Sequence, residues 1–180
     1  MGLSMIRLLM KRRYSVAAGL AAVVAAGVGH AAPDSPGDTS AFAPYIGHWA
    51  CEGHFTSNNK PIASTISFAS ALAGKGVIKA QDDVPTLGNY HSVETWAFDA
   101  KANQWVAGIV DSSGGVRTFR SPGQVEGKLT WTLIDGQPAQ QFVYSPVSSG
   151  KFQLDWLIER PGKGLVVGDT LTCKRLNGTS

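Results

Sequence analysis

The sequence predicts an all-β protein, a single closed antiparallel up-and-down barrel of about nine to ten strands with minimal helix. From Tyr45 onward, short stretches rich in Val, Ile, Thr, Phe, Tyr and Trp alternate with turn-forming clusters of Gly, Pro, Asn, Asp and Ser. No sustained apolar pattern at helical spacing occurs outside the N-terminal segment. Two cysteines, Cys51 and Cys173, stand near the two ends of the strand-rich region.

The composition is that of a soluble globular protein, with 43% hydrophobic residues and 16 Lys and Arg against 13 Asp and Glu in 180 residues. Four of the basic residues lie in an N-terminal segment that we predict to be removed. Taking these four from the 16 basic residues leaves 12 against 13 acidic ones. The mature protein is therefore close to neutral, and we expect no nucleic-acid partner.

The N-terminus has the organisation of a secretory signal peptide. Basic residues at 11–13 precede an uninterrupted run of Ala, Val, Leu and Gly at 16–28, and small residues suited to signal peptidase follow. A membrane anchor, the alternative, needs about 20 apolar residues, and this run is shorter and soon followed by Pro33. We predict a signal peptide at 1–31 and a periplasmic or secreted protein that is not inserted in the membrane after cleavage.

Cleavage leaves about 149 residues, which suffice for one domain with one core. Residues 33–39, with Pro, Asp, Ser and Gly, cannot bury apolar surface. The predicted organisation is a flexible leader at 32–43, a β-barrel domain at 44–176 and a polar tail at 177–180.

Period-two alternation assigns faces to the strands. It is clearest at 151–159, where polar residues alternate with apolar ones and Leu157 is the one exception. The apolar faces predicted in this way are Phe152, Leu154, Trp156 and Ile158, then Ile62, Ile66 and Phe68, then Leu129, Trp131 and Leu133. A meander of such strands leaves two apolar edges unless it closes into a barrel.

The two cysteines support closure. Cys51 lies in the first predicted strand and Cys173 in the last, and each shares a face with apolar residues, Val167 and Leu171 in the case of Cys173. In an oxidising compartment they are expected to form a disulfide that joins the two terminal strands. Two separate buried thiols remain the alternative, and two distant cysteines lack the paired spacing of a zinc site.

The first strand carries a recognisable motif. Gly47-His48-Trp49 resembles the entry motif of lipocalins, and its extension through Cys51 and Gly53 resembles the first strand of nitrobindin-like barrels. Residues 96–99 (WAFD), 105–106 (WV) and 111–115 (DSSGG) resemble the central strands and turns of an uncharacterised family of bacterial secreted lipocalin-like proteins. The resemblance implies a calycin-type closed barrel with an internal cavity and brings no established activity.

A nitrobindin-like barrel would bring haem, bound by a late histidine, and this chain has no histidine after His91. His48, Glu52 and His54 share a strand face, but that face is opposite Trp49 and is predicted to be outside. We therefore expect no cofactor and no metal ion.

The sequence contains no Gly-x-Ser-x-Gly, no Gly-rich phosphate loop and no His-Glu-x-x-His, and we expect no catalytic residues. Alternation nevertheless directs charged residues inward: Glu94 with Trp96, Arg117 with Phe119, and Asp111. A buried carboxylate and guanidinium must pair or bind a ligand. Glu94 and Arg117 are accordingly interpreted as a structural ion pair, with ligand orientation and acid–base catalysis as the alternatives. The candidate ligand-binding residues are Glu94, Trp96, Arg117, Trp131 and Trp156.

These observations favour an exported lipocalin-like barrel, monomeric or weakly dimeric, that binds a small apolar or amphipathic molecule without catalysis. One alternative is an enzyme in which Glu94, Asp111 and Arg117 perform proton transfer or isomerisation. Another is a structural envelope protein with a filled core. The interior discriminates among them, because an open apolar cavity favours carriage and a carboxyl of raised pKa in a cleft favours chemistry.

Overall fold

A computed structural model describes residues 37–176, and eleven β-strands account for most of this range. The predicted signal peptide, the first part of the leader and the polar tail lie outside the described residues. Single 3₁₀ turns at Thr39–Phe42 and Leu72–Gly74 are the helical elements of the described part. The strands are β1 Gly47–Phe55, β2 Pro61–Ala71, β3 Gly76–Asp83, β4 His91–Asp99, β5 Gln104–Asp111, β6 Val116–Ser121, β7 Gln124–Val125, β8 Lys128–Leu133, β9 Gln140–Ser148, β10 Lys151–Arg160 and β11 Gly164–Arg175.

Ten of these strands form a closed antiparallel barrel. Neighbours in sequence pair with one another from β1 to β6 and from β8 to β11, and β1 pairs with β11. The ring closes where β6 meets β8, through the pairs Phe119 with Leu133 and Arg120 with Thr132. The two-residue strand β7 pairs with β8 outside the ring. The predicted closed up-and-down barrel with minimal helix is confirmed.

The alternation in sequence becomes an alternation of faces. Phe152, Leu154 and Ile158 of β10 are buried, and the predicted inward residues of β2 and the Leu129 and Trp131 side chains of β8 are buried as well. Val167 is an exception: it was expected inside and is 38% exposed. The register between β10 and β11 shifts after Trp156, so that Trp156 pairs with Asp169 whereas Leu157 pairs with Val167. This bulge moves Val167 to the outer face.

An aromatic cluster fills one end of the barrel. Its members, drawn from most of the strands, pack mostly edge to face and otherwise tilted, at centroid distances of 4.7–6.3 Å, the geometry that aromatic pairs prefer. Arg175 lies 4.3 Å from the ring centroid of Trp49 and donates hydrogen bonds to the carbonyls of Pro44 and Ile46. The cluster consists of Phe42, Tyr45, Trp49, Phe68, Trp96, Trp105, Trp131, Tyr144 and Phe152.

The end of the predicted leader belongs to this cluster. Asp38 accepts a hydrogen bond from the Ser40 N–H and begins the 3₁₀ turn that carries Phe42. Phe42 is fully buried, with its ring 4.7 Å from that of Trp105 and 5.4 Å from that of Trp96. Packed structure therefore begins before residue 44, and the prediction of a flexible leader up to residue 43 is wrong for this turn.

The two cysteines meet across the terminal strands. Cys51 of β1 is directly opposite Cys173 of β11, and their sulfur atoms lie at disulfide distance. Both side chains are buried. The predicted pairing of first and last strands is thus present.

Within residues 37–176, no helix has the length and apolar character needed to cross a membrane.

Candidate functional site

The end of the barrel opposite the aromatic cluster contains a cavity of about 460 Å³. It lies between the end of β1, the start of β2, the end of β3 and the corresponding ends of the other strands. Its volume lies in the range of small-molecule sites. The barrel is therefore filled at one end and open at the other.

One wall of the cavity is apolar. It comes from β1, β2, β10 and β11, which are neighbours in the ring, together with Phe142 of β9. Trp156 is held in this wall by a hydrogen bond from its indole Nε1 to the Gln140 side-chain oxygen at 3.2 Å. Its ring lies against Gly168, where an added Cβ would stand 2.7 Å from the ring. The apolar residues of this wall are Phe55, Ile62, Phe142, Leu154, Trp156 and Leu171.

The opposite wall is polar and contains a buried ion pair. Lys79 of β3 and Glu94 of β4 are cross-strand partners, with Nζ 2.5 Å from Oε1 and only 1% and 3% of the two residues exposed. Lys79 also donates to Gln81 at 3.2 Å, and the Trp96 indole donates to the second Glu94 oxygen at 3.1 Å. Each charge is thus compensated inside the barrel, as burial of charged groups requires.

A second charged group lies nearer the opening. Arg117 donates to Asp111 at 2.7 Å, to the Gln140 side chain at 2.8 Å and to the Tyr90 hydroxyl at 3.1 Å. Asp111 also accepts hydrogen bonds from the backbone N–H groups of Ser113 and Gly115, at 2.9 and 3.2 Å. Burial raises the pKa of Tyr90, so its hydroxyl remains protonated at neutral pH. Arg117 is therefore fixed by partners on three sides.

These partners correct the predicted ion pair between Glu94 and Arg117. Both residues do face the interior, but Glu94 is cross-strand to Ile109 of β5, which is in turn cross-strand to Arg117 of β6. A whole strand therefore separates them.

Lys79 was missed because the alternation of β3 is inverted: Lys79 and Gln81 point inward, whereas Ile78 is 43% exposed. The signal available in the sequence was the unpaired inward Glu94, which requires a cation nearby.

Three of the five candidate ligand-binding residues line the cavity: Glu94, Arg117 and Trp156. Trp96 and Trp131 do not line it. They belong to the aromatic cluster, with 0% and 2% exposure and ring centroids 5.0 Å apart. Trp96 still contributes indirectly, because its indole hydrogen bond orients Glu94.

Two further carboxyls that were not predicted as site residues also line the cavity. Asp83 of β3 accepts hydrogen bonds from the Ser64 hydroxyl at 2.6 Å and from the Tyr90 N–H at 3.2 Å. Asp169 of β11 has neither a hydrogen bond nor an ion pair from its side chain within residues 37–176. Burial raises the pKa of Asp169 to about 7, and the charges of Asp83 and Asp155 add to the effect. Inward alternation from Cys173 through Leu171 could have revealed Asp169.

The outer face carries the histidines considered above. His48, Glu52 and His54 are exposed on β1, as the alternation predicts. In the part of the chain that the structure describes, no group of three His, Cys, Asp or Glu side chains is arranged to hold a metal ion.

Comparison with known proteins identifies the fold. No family model matches the chain, and no curated protein matches it. Among solved structures, the crystal structure of Rv2717c from M. tuberculosis is similar, with a TM-score of 0.57 and 12% sequence identity over 78% of this chain and 98% of that one. At this identity the similarity supports a shared barrel fold.

Proposed function

We propose that this protein is an exported lipocalin-like barrel that binds a small amphipathic molecule in its cavity without catalysis. The observation that carries the proposal is the cavity of about 460 Å³ at one end of a barrel whose other end is filled. The resemblance of the Gly47-His48-Trp49 segment to the lipocalin entry motif supports it. The family assignment, secreted lipocalin-like and nitrobindin-like, is part of the same proposal.

An amphipathic ligand fits the cavity better than a wholly apolar one. The apolar wall, with Leu154 and Trp156, gives a molecule contact area without hydrogen bonds. The facing wall presents Lys79, Glu94 and Arg117, whose fixed hydrogen bonds could orient a polar group. A molecule with one polar and one apolar side would satisfy both walls.

Export is supported by two independent features. The N-terminal segment has the charge and apolar pattern of a signal peptide. Cys51 and Cys173 lie at disulfide distance, and a disulfide persists in an oxidising compartment. A periplasmic or secreted location agrees with both.

Proton-transfer chemistry is the second candidate, and the raised pKa of Asp169 favours it. A carboxyl with a pKa of about 7 in a cavity is suited to general acid or base catalysis near neutral pH. Glu94 and Asp111, the carboxylates first considered for this role, are bound by Lys79 and Arg117. If the protein is an enzyme, Asp169 is therefore the group we would assign as the acid or base.

Binding can be tested with a neutral fluorescent probe such as N-phenyl-1-naphthylamine. We expect saturable one-site binding to the mature protein, and a loss of affinity of about fivefold for Trp156→Phe, since about 1 kcal/mol of apolar contact is removed. Trp105→Phe is the matched control, because Trp105 lies in the aromatic cluster and does not line the cavity.

Absence of saturable binding by folded protein would overturn the proposal, and so would equal losses for the two variants. The two candidate functions can also be separated directly. A ligand recovered by native mass spectrometry from protein made in its own host is incubated with the protein in deuterated water. Deuterium incorporation into carbon positions would indicate proton-transfer catalysis and contradict carriage alone.

A further inference from the structure

Asp169 is a carboxyl placed within the apolar wall of the cavity. Its strand, β11, lies between β1 and β10 in the ring. Its cross-strand partners are Phe55 on one side and Trp156 on the other, and both line the cavity with it. Leu171, two residues further along β11, also lines the cavity. The carboxyl thus stands between two aromatic side chains on a surface that is otherwise apolar.

The two basic side chains of the cavity are already occupied by other acids. Lys79 pairs with Glu94, and Arg117 pairs with Asp111. No ion pair reaches Asp83 or Asp169 from a basic residue of the described range 37–176. The cavity therefore has two carboxyls more than it has basic side chains, and its charge is negative when these carboxyls are ionised.

We propose that the cavity binds an amphipathic cation, a molecule with an amine or quaternary ammonium group on an apolar body. The ammonium group lies against the Asp169 carboxylate, between the rings of Phe55 and Trp156. The apolar body extends along Leu154 and Leu171. This inference rests on the proposed function, because it assigns the ligand class of the same cavity.

The chemistry of these side chains matches an ammonium group. An aromatic face attracts a cation through its quadrupole, and the attraction is strongest for tryptophan. A carboxylate shielded from water attracts a cation more strongly than an exposed one does. Gly168 leaves room for the Trp156 ring next to Asp169, since a Cβ at that position would lie 2.7 Å from it.

An anionic ligand fits less well. To pair with Lys79 or Arg117 it would have to displace Glu94 or Asp111, both of which are also held by further hydrogen bonds. It would meet the charge of Asp83 and Asp169 as well. A neutral ligand can occupy the apolar wall but gains nothing from the Asp169 charge.

The charge of Asp169 depends on pH near neutrality. The pKa of Asp169 is raised to about 7, chiefly by burial and then by the neighbouring charges of Asp83 on β3 and Asp155 on β10, while Lys79 on β3 lowers it. On β1 the packed neighbour is Phe55, which carries no charge. A cation that requires ionised Asp169 therefore binds more tightly as pH rises through this range, by about tenfold per pH unit below the pKa.

The test compares three ligands that share an eight-carbon alkyl chain: octyltrimethylammonium, octanol and octanoate. Each is used below the concentration at which it forms micelles or separates from water. Isothermal titration calorimetry with the mature protein at pH 8 is expected to show the ammonium compound binding most tightly and octanoate most weakly. Asp169→Asn should weaken octyltrimethylammonium binding by about tenfold or more and leave octanol binding within about twofold. Asp82→Asn is the matched control, because Asp82 is exposed on β3 and pairs with His91.

The quaternary ammonium group has a fixed charge, so its pH dependence reports on the protein. We expect its affinity to fall between pH 8 and pH 5 in the wild type and in Asp82→Asn, and to be flat in Asp169→Asn. If octanol binds and the ammonium compound binds no better, the cation proposal is overturned while the carrier proposal stands. If none of the three ligands binds to the folded protein, the carrier proposal fails as well.

Discussion

Asp169 is expected to lower the stability of the unliganded protein at neutral pH. Its pKa is raised from 3.8 to about 7, so the unfolded state releases this proton at lower pH than the folded state does. The contribution of Asp169 to the free energy of unfolding is therefore fully present below about pH 4. It is lost as the pH rises towards 7, the pKa in the folded state. We predict that Asp169→Asn raises the free energy of unfolding at pH 8 by roughly 1 to 3 kcal/mol, a value reduced from the full shift because the carboxyl faces an open cavity.

Urea unfolding at pH 8 and at pH 4 measures this effect. The gain from Asp169→Asn should shrink at pH 4, because Asp169 of the folded wild type is then protonated and carries no charge into the barrel. Asp82→Asn, which removes an exposed carboxylate, should show no comparable gain at pH 8. A lower stability of Asp169→Asn at pH 8 would contradict the assignment of Asp169 as a half-buried acid without a basic partner.

Single residues also show how far the sequence could be interpreted. Alternation placed Glu94, Arg117 and Trp156 inside correctly, because it needs only the residues of one strand. It could not give their partners, since Lys79 becomes the neighbour of Glu94 only through the pairing of β3 with β4. Asp169 escaped notice because a single acid in a strand is usually exposed, although regular alternation from Cys173 through Leu171 points it inward.

The terminal strands β1 and β11 are expected to depend on their disulfide. Cys51 and Cys173 are 122 residues apart, and closing a loop of that length lowers the entropy of the unfolded chain by the equivalent of about 4 to 5 kcal/mol. We predict that Cys51→Ser lowers the free energy of unfolding by about this amount, measured by urea unfolding. Dithiothreitol should destabilise the wild type similarly and leave the variant unaffected.

Intact-mass measurement after alkylation, with and without prior reduction, is the control for this experiment. The wild type should take up two alkyl groups only after reduction. Both cysteines are buried, so alkylation is carried out in urea, and alkylation of both thiols in unfolded but unreduced protein would refute the disulfide.

Most elements were predictable because short strands with clear turn chemistry leave a period-two pattern in the sequence. The 3₁₀ turn at Thr39–Phe42 was not, because four residues show no periodicity and their polar flanks suggested a leader. The bulge in β10 and β11 was not predictable either. It depends on how two distant strands align, and neither strand records that alignment by itself.

The division of the barrel into a filled and an open end belongs to the whole molecule. Five tryptophans were known from the sequence, and three were expected to line a cavity, but only Trp156 does. The other two, Trp96 and Trp131, lie where β4 and β8 contribute to the aromatic cluster. The strand pairing that closes the barrel decides which strand ends lie together at each end of it. That pairing joins residues from opposite parts of the chain.

The closure itself is uneven around the ring. The β6–β8 contact has two paired positions, Phe119 with Leu133 and Arg120 with Thr132, supported by a hydrogen bond from the Ile134 N–H to the Thr118 carbonyl. The contact between β1 and β11 runs from Trp49 to Phe55 and contains the cysteine pair. In the strand order, these two contacts stand on opposite sides of the barrel.

Because β1 and β11 are paired over their length and β6 and β8 at only two positions, local opening of the barrel should occur between β6 and β8. We predict that amides of β6 and β8 exchange with deuterium faster than those of β1 and β11, as hydrogen-exchange mass spectrometry can measure. A ligand in the cavity should slow exchange in β6 and β8 if molecules enter by separating these two strands. Uniform protection from exchange around the ring would instead indicate that ligands enter through the open end of the barrel. The contact between β6 and β8 would then stay closed in the native protein.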